Sequence, residues 1–168
     1  KGTIKVNNKL YYTKPIVITV VKENPNLTGE LKPVFIQVDF DVEEAYVGQQ
    51  VEATFILYSQ KEILSVNVMS IPKFSGTYTL PLNLFLLNEN IEVINGKQYI
   101  VQPIRKYAIF PQREGDVDID ELTVFVKVLD KTENFPKVLE AEIISKPVTF
   151  PVKNFEETPI NFTGGVGQ

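Results

Sequence analysis

The chain has no cysteine, no histidine and no tryptophan, and Met69 is its single methionine. Each absence removes a class of chemistry. Without thiol or imidazole there is no Cys–His or Ser–His–Asp nucleophile system and no ordinary zinc site. Without cysteine there is no disulfide, so cysteine usage leaves the redox compartment open. One thioether and no thiol give the side chains no means of direct redox chemistry. An excess of positive charge is missing too. Lys+Arg total 17 against 21 Asp+Glu, a net charge of -4, whereas a nucleic-acid binder shows a basic patch. Apolar runs such as residues 81–87 fall far below the roughly 20 residues of a membrane helix. The chain starts at Lys1 without a visible signal peptide. The expectation is a piece of a longer protein whose targeting signal and anchor lie elsewhere.

What is present is strand pattern. Apolar residues make up 43% and charged residues 23% of 168 residues, enough for one well-cored domain plus a fragment. Residues 50–58 alternate cleanly, with Val51, Ala53, Phe55 and Leu57 on one face and Glu52, Thr54, Ile56 and Tyr58 on the other. Further strands are expected at 34–38, 63–68, 82–87, 99–110 and 122–128. No stretch of about 11 or more residues carries a helical stripe. Turn residues separate the strands, and Asn95-Gly96 is the strongest hairpin signal because both residues tolerate the positive φ of a type I′ turn. Val117 and Ile119 are odd-numbered, but Leu122, Val124, Val126 and Val128 are even-numbered. That phase slip predicts a bulge or strand break at Asp120-Glu121. Pro147 and Pro151 place the last strand at an edge, or bulge it at its start. The fold class expected is all-β, an immunoglobulin-like antiparallel β-sandwich without the Cys–Trp–Cys core of antibody domains.

The two ends of the chain echo each other. Thr13-Lys14-Pro15 and Ser145-Lys146-Pro147 each precede a β-like run, and Gly2-Thr3-Ile4-Lys5-Val6 echoes Gly115-Asp116-Val117-Asp118-Ile119. Read as a repeat, this makes residues 1–22 the C-terminal hairpin of a preceding module. Residues 23–33 are then a linker, 34–152 one whole sandwich, and 153–168 a linker to a following module. The alternative is chance likeness between two common β patterns.

Several clusters invite a chemical reading, and each has a plainer one. Asp39, Asp41, Glu43 and Glu44 suggest calcium, but they lack the spacing and glycine of a calcium loop and suit a solvated strand edge. Asp116, Asp118, Asp120 and Glu121 raise the paired-carboxylate question of glycosidases. Their alternation with Val117 and Ile119 explains them as the outer face of a strand. Arg105, Lys106 and Arg113 are the notable cations, with Arg105 and Tyr107 read as sharing an outer strand face. Tyr11, Tyr12, Tyr58, Tyr78, Tyr99 and Tyr107 offer a carbohydrate platform or ordinary packing. Asn26-Leu27-Thr28 and Asn161-Phe162-Thr163 match the glycosylation sequon, which is too short to carry weight alone. No catalytic, cofactor-binding or metal residues are assigned.

In order and spacing, several pieces resemble the BatD (oxygen tolerance, or aerotolerance) family. They are Tyr46-Val47-Gly48-Gln49-Gln50-Val51, Pro72-Lys73-Phe74-Ser75-Gly76, Gly96-Lys97-Gln98-Tyr99, and the run from Arg105 through Tyr107 to Pro111 followed by Gly115. Ser145-Lys146-Pro147 and the closing Pro159-Ile160-Asn161-Phe162-Thr163-Gly164-Gly165 complete the likeness, which covers most of residues 34–167. The resemblance implies tandem immunoglobulin-like modules in the periplasm of a bacterial envelope protein with a membrane anchor outside this chain. It implies partners among von Willebrand factor A-type membrane proteins and MoxR-type ATPases, and it carries over no catalytic residue. The expected function is non-enzymatic protein interaction, with a cell-surface adhesin or carbohydrate-binding module as the alternative and a carboxylate hydrolase as a third reading. Candidate partner-binding residues lie on turns: Gly76, Asn95 and Gly96, with Glu89 and Glu92 as carboxylates that a von Willebrand-type metal site would accept. The proline-bearing strand at 147–152 is a second candidate surface.

The boundaries are testable. Deleting residues 1–30 is expected to leave a cooperative urea-unfolding transition; a molten or insoluble product would place a central strand of the sandwich within the deleted segment.

Overall fold

Alternation of apolar and polar residues builds the central strand, Val51–Ser59, as the pattern requires: Val51, Ala53, Phe55 and Leu57 are all buried. The computed structural model of the chain describes residues 3–6, 9–12, 22–23, 32–84, 90–131 and 135–154, the first three of these segments as backbone. The strands are β1 (Thr3–Val6), β2 (Lys9–Tyr12), β3 (Lys22–Glu23), β4 (Val34–Phe40), β5 (Ala45–Tyr46), β6 (Val51–Ser59) and β7 (Glu62–Ser70). They continue as β8 (Thr77–Leu82), β9 (Asn90–Ile94), β10 (Lys97–Pro111), β11 (Gly115–Ile119), β12 (Thr123–Asp130), β13 (Lys137–Ile144) and β14 (Val148–Lys153). No helix occurs among the described residues.

One layer of the sandwich has the order β3-β9-β10-β6-β4, with β8 also on β10. The 15 residues of β10 make this possible. One side of β10 pairs with β9 at 97–101 and with β8 at 106–111, while its other side pairs with β6 over 100–109. The β9–β10 hairpin closes through Asn95 (φ 51°) and Gly96 (φ 73°), with Ile94 opposite Lys97: the two-residue turn its sequence predicts.

The facing layer is kinked. Its halves are β7-β12-β13 and β11-β14-β5. β11 stops at Ile119 and β12 starts at Thr123, so the break falls where the apolar phase slips. β13 and β14 break opposite it, around Ser145. The two breaks are stitched together: the Leu122 N–H donates to Ser145 Oγ at 2.9 Å, and the Ser145 N–H donates to the Leu122 carbonyl at 2.9 Å. Beyond β7 the chain follows the same kink. Phe74 bridges Ile119, and the Ser75 N–H donates to the Asp118 carbonyl at 3.1 Å.

The core fills the space between the layers. Ile36, Phe55, Leu57, Tyr107 and Ile109 meet Val117, Ile119, Leu122, Val124, Val126 and Phe150 across it. A second cluster, Tyr58, Ile94, Tyr99 and Val101, lies on the opposite face of the first layer. Phe35 joins it, 4.9 Å from the Tyr58 ring centroid and 5.5 Å from that of Tyr99. Gln60 Nε2 donates to Tyr99 Oη at 2.7 Å, which satisfies a phenol that is 1% exposed.

Three local readings of the sequence need refinement. Arg105 and Tyr107 do not lie on the outer face. The β10–β6 register shifts between Pro103 and Arg105, a bulge ahead of both that sets Arg105 opposite Phe55 and Tyr107 opposite Ala53, with Tyr107 buried in the core and Arg105 exposed. The proline strand is paired on one side along its length, since β14 meets β11 at every position from 148 to 152. Its other side meets β5 only at Val152 and Lys153, and Pro147 falls in the break before the strand. The echoing ends also pair differently: β1 pairs with β2 at 9–12, whereas its echo β11 pairs with β14. The stretch that echoes β14, residues 16–20, lies outside the described residues. At the expected boundary between hairpin and linker, Lys22 and Glu23 form β3, parallel to β9.

The stitch at the kink generates a prediction. Ser145→Ala leaves the Leu122 amide without its buried acceptor, a loss of about 1–3 kcal/mol. Urea unfolding of the variant should give a lower midpoint with an unchanged slope; an unchanged midpoint would remove this hydrogen bond from the elements that hold the kink.

Candidate interaction surfaces

The turns singled out from the sequence do not form one surface. Asn95-Gly96 precedes the first residue of β10, whereas Gly76 precedes β8, whose Thr77 pairs with Pro111 at the last residue of β10. At about 3.3 Å per residue the two turns are on the order of 45 Å apart along that strand. Gly76 (φ 73°) is closed in by Arg113, whose Nε lies 3.0 Å from where a Cβ would stand, and its carbonyl accepts the Gln112 N–H at 3.0 Å. It is a backbone fitting beneath an arginine. Gly96 meets nothing within 4 Å and is open to a partner. Glu92 is half-buried on β9, opposite Lys22 of β3. Glu89 lies outside the described residues.

Several of the acids serve the fold locally. Asp41 Oδ1 accepts the Glu52 N–H at 2.8 Å, and Asp39 Oδ1 accepts from Gln37 Nε2 at 2.8 Å. Glu44 pairs with Lys153 at 2.6 Å, which ties the short β5 to β14. Asp118 accepts the Thr149 hydroxyl across the β11–β14 pair at 3.2 Å. Among the described residues no group of three or more metal-ligating side chains converges. The cations are dispersed as well: Lys106 pairs with Glu52 at 2.5 Å, and Arg113 sits over Gly76.

The tyrosines divide by burial. Tyr58, Tyr99 and Tyr107 are buried, while Tyr78 is exposed on β8 with its ring 6.1 Å from Phe110. Tyr11 and Tyr12 lie in β2, which is described as backbone. Both sequons, at Asn26 and Asn161, lie outside the described residues.

A groove that sequence reasoning missed runs along one side of the sandwich. Among the described residues, β4 pairs only with β6, and β13 pairs only with β12. Each therefore presents an unpaired edge. Between β4 and the β13–β14 corner lies a cavity of about 500 Å³, walled by Val34, Ile36 and Val38 on one side and Ile143 and Val148 on the other. A second hollow of about 420 Å³ continues it past Asp39 and Glu43 towards Phe150 and Pro151. There the Phe40 and Phe150 rings, 4.8 Å apart, floor the seam. The one signal for this seam in the sequence was the acidic run 39–44, read there as edge protection. Which strands lie outermost is set by pairing across long sequence separations, and no local pattern encodes it.

Comparison with known proteins adds no relative: no protein family, no curated protein and no solved structure matches the chain.

Tyr107 generates a prediction about pH. Its ring stands 6.0 Å from Phe55 and 4.9 Å from Phe74, and burial pushes its phenol above the usual 10.0, with the Arg105 cation offsetting part of the rise. The folded chain therefore holds this proton more tightly than the unfolded chain does. The contribution is fully present below about pH 10 and is lost as pH rises through the raised folded value. Urea unfolding from about pH 8 to 11 should show wild type losing stability more steeply above pH 10 than Tyr107→Phe. Parallel curves would remove Tyr107 from the alkaline transition.

Proposed function

We propose that the chain is a non-enzymatic interaction module from the extracytoplasmic, periplasmic part of a membrane-anchored bacterial protein of the BatD (aerotolerance) type. Its partners are then other envelope proteins, with von Willebrand factor A-type proteins foremost and MoxR-type ATPases in the same system. The strand order supports the immunoglobulin-like part of this reading. β4-β6-β10-β8 facing β7-β12-β13, with the short β5 parallel to β14, corresponds to ABED facing CFG with a short A′ strand beside G.

The observation that carries the interaction reading is the pair of free edges. Among the described residues, β4 and β13, seven and eight residues long, are each hydrogen-bonded on one side only, and β13 exposes Val138, Leu139 and Ile144. Unpaired edges of this length are templates for partner strands unless they are protected. The module's role is then presentation: a close-packed double layer holds edges and turns in fixed positions for other proteins. The adhesin reading asks for aromatic rings converging on one face. The exposed rings of Tyr46, Tyr78 and Phe135 instead sit on β5, on β8 and before β13.

Co-purification of the complete protein from its own envelope, with and without a chelator, tests the proposal. The expected result is recovery of a von Willebrand factor A-type protein, weakened by the chelator. Recovery of no envelope protein, together with specific retention on a polysaccharide column, would overturn the interaction reading in favour of the adhesin.

A further inference from the structure

We infer that the seam between β4 and the β13–β14 corner is a docking groove for an extended peptide strand with a basic residue at its N-terminal end and an acidic residue at its C-terminal end. This rests on the interaction-module reading above and names the chemistry of the partner segment. Three features of the seam lead to it.

The first is backbone. In an antiparallel pair, alternate residues direct their N–H and C=O groups away from the partner, and among the described residues β4 has a partner only in β6. The remaining groups of this seven-residue strand face the groove. An added strand gains main-chain hydrogen bonds there, and antiparallel pairing is the commoner geometry.

The second is shape and polarity. Val34 and Val38 from β4 and Ile143 and Val148 from the facing layer are only partly buried, although each packs on the inter-layer core. They leave an apolar trough of about 500 Å³, fitted to every second side chain of an extended peptide.

The third is charge, which sets direction. Around the first cavity, exposed Lys32 just before β4 and exposed Lys146 on the opposite wall outnumber Glu142. At the far end the rim carries Asp39 and Glu43 and, among the described residues that line it, no cation. A strand antiparallel to β4 enters beside Asp39 and Glu43 and leaves beside Lys32 and Lys146. Its cation therefore comes first and its carboxylate last. From Lys32 to Asp39 the span is about 23 Å, which sets a peptide of roughly eight residues.

The test uses the full 168-residue chain and two fluorescent eight-residue peptides of alternating valine and threonine. One has lysine first and aspartate last, and the other has these ends exchanged. Anisotropy should show binding of the lysine-first peptide at least about tenfold tighter than its reverse, weakening as salt rises. The double variant K32E/K146E changes only exposed side chains; it should melt as wild type does and lose about tenfold in affinity. Val38→Asp should abolish binding. Equal binding of the two peptides, binding indifferent to K32E/K146E, or no binding of either peptide would overturn the inference. So would concentration-dependent dimerisation abolished by K32E/K146E, which makes the seam a contact between two copies. If the complete protein still recovers its envelope partner when the seam variants fail to weaken that recovery, the seam falls and the interaction module stands. Recovery of no partner at all removes both.

Discussion

β10 is the strand on which the rest of the fold hangs, because it carries three partners and changes face once along its length. Its 15 residues hold β6 on one side and β9 and then β8 on the other. A strict alternation over that length would send Tyr99, Val101, Tyr107 and Ile109 to one face. The bulge between Pro103 and Arg105 prevents this. Tyr99 and Val101 are buried on the outer face with Tyr58 and Phe35, whereas Tyr107 and Ile109 are buried between the layers. One extra residue thus lets one strand serve two apolar clusters. The aromatic contacts gathered around Phe35 contribute about 0.5–1.5 kcal/mol per pair beyond burial, so the outer cluster is a real share of the stability of a domain this size.

The facing layer meets the same demand by interruption. β11 and β12 could not run on as one strand, because Val117 and Ile119 and then Leu122 and Val124 all have to point inward. The chain breaks between them, its neighbour breaks opposite at Ser145, and a reciprocal pair of hydrogen bonds closes the gap with Leu122 0% exposed. The kink bends the far half of the layer, β11-β14-β5, against β4 and β6. It also leaves the trough between β4 and the β13–β14 corner, where the layers diverge before Phe40 and Phe150 bring them together again. The groove is thus a product of the same phase slip that shapes the core.

The proposed function rests on what the edges are left to do. Sheet edges invite pairing, and the chain protects them unevenly. β13 carries Lys137, Glu140 and Glu142 among its exposed residues, and the Lys127–Glu140 ion pair at 2.6 Å anchors one of them. β4 itself carries one charge, Asp39, with Lys32 two residues before it and Asp41 and Glu43 just after it, and Val34, Ile36 and Val38 line the groove between. In the docking inferred above, an edge flanked by charges of opposite sign rejects indiscriminate association while it admits a segment of matching charge order. Presentation of such edges by a rigid double layer is the mechanism proposed for this module.

Local pattern determined much of this architecture. The period-2 run in β6 defines a core face, Asn95-Gly96 sets a type I′ turn, and the parity change after Ile119 marks a break; each follows from residues adjacent in the chain. The absence of thiol and imidazole likewise follows from composition alone. The direction of Tyr107 did not, because a bulge in a long apolar strand leaves the local pattern plausible in either phase. Nor did the distance between Gly76 and Gly96, which depends on both turns being hung on opposite ends of β10. The free edges of β4 and β13 lay furthest from view. Whether a strand is central or outermost is decided by hydrogen bonds to strands many residues away, and the groove they flank exists only once two layers are packed and one of them is bent.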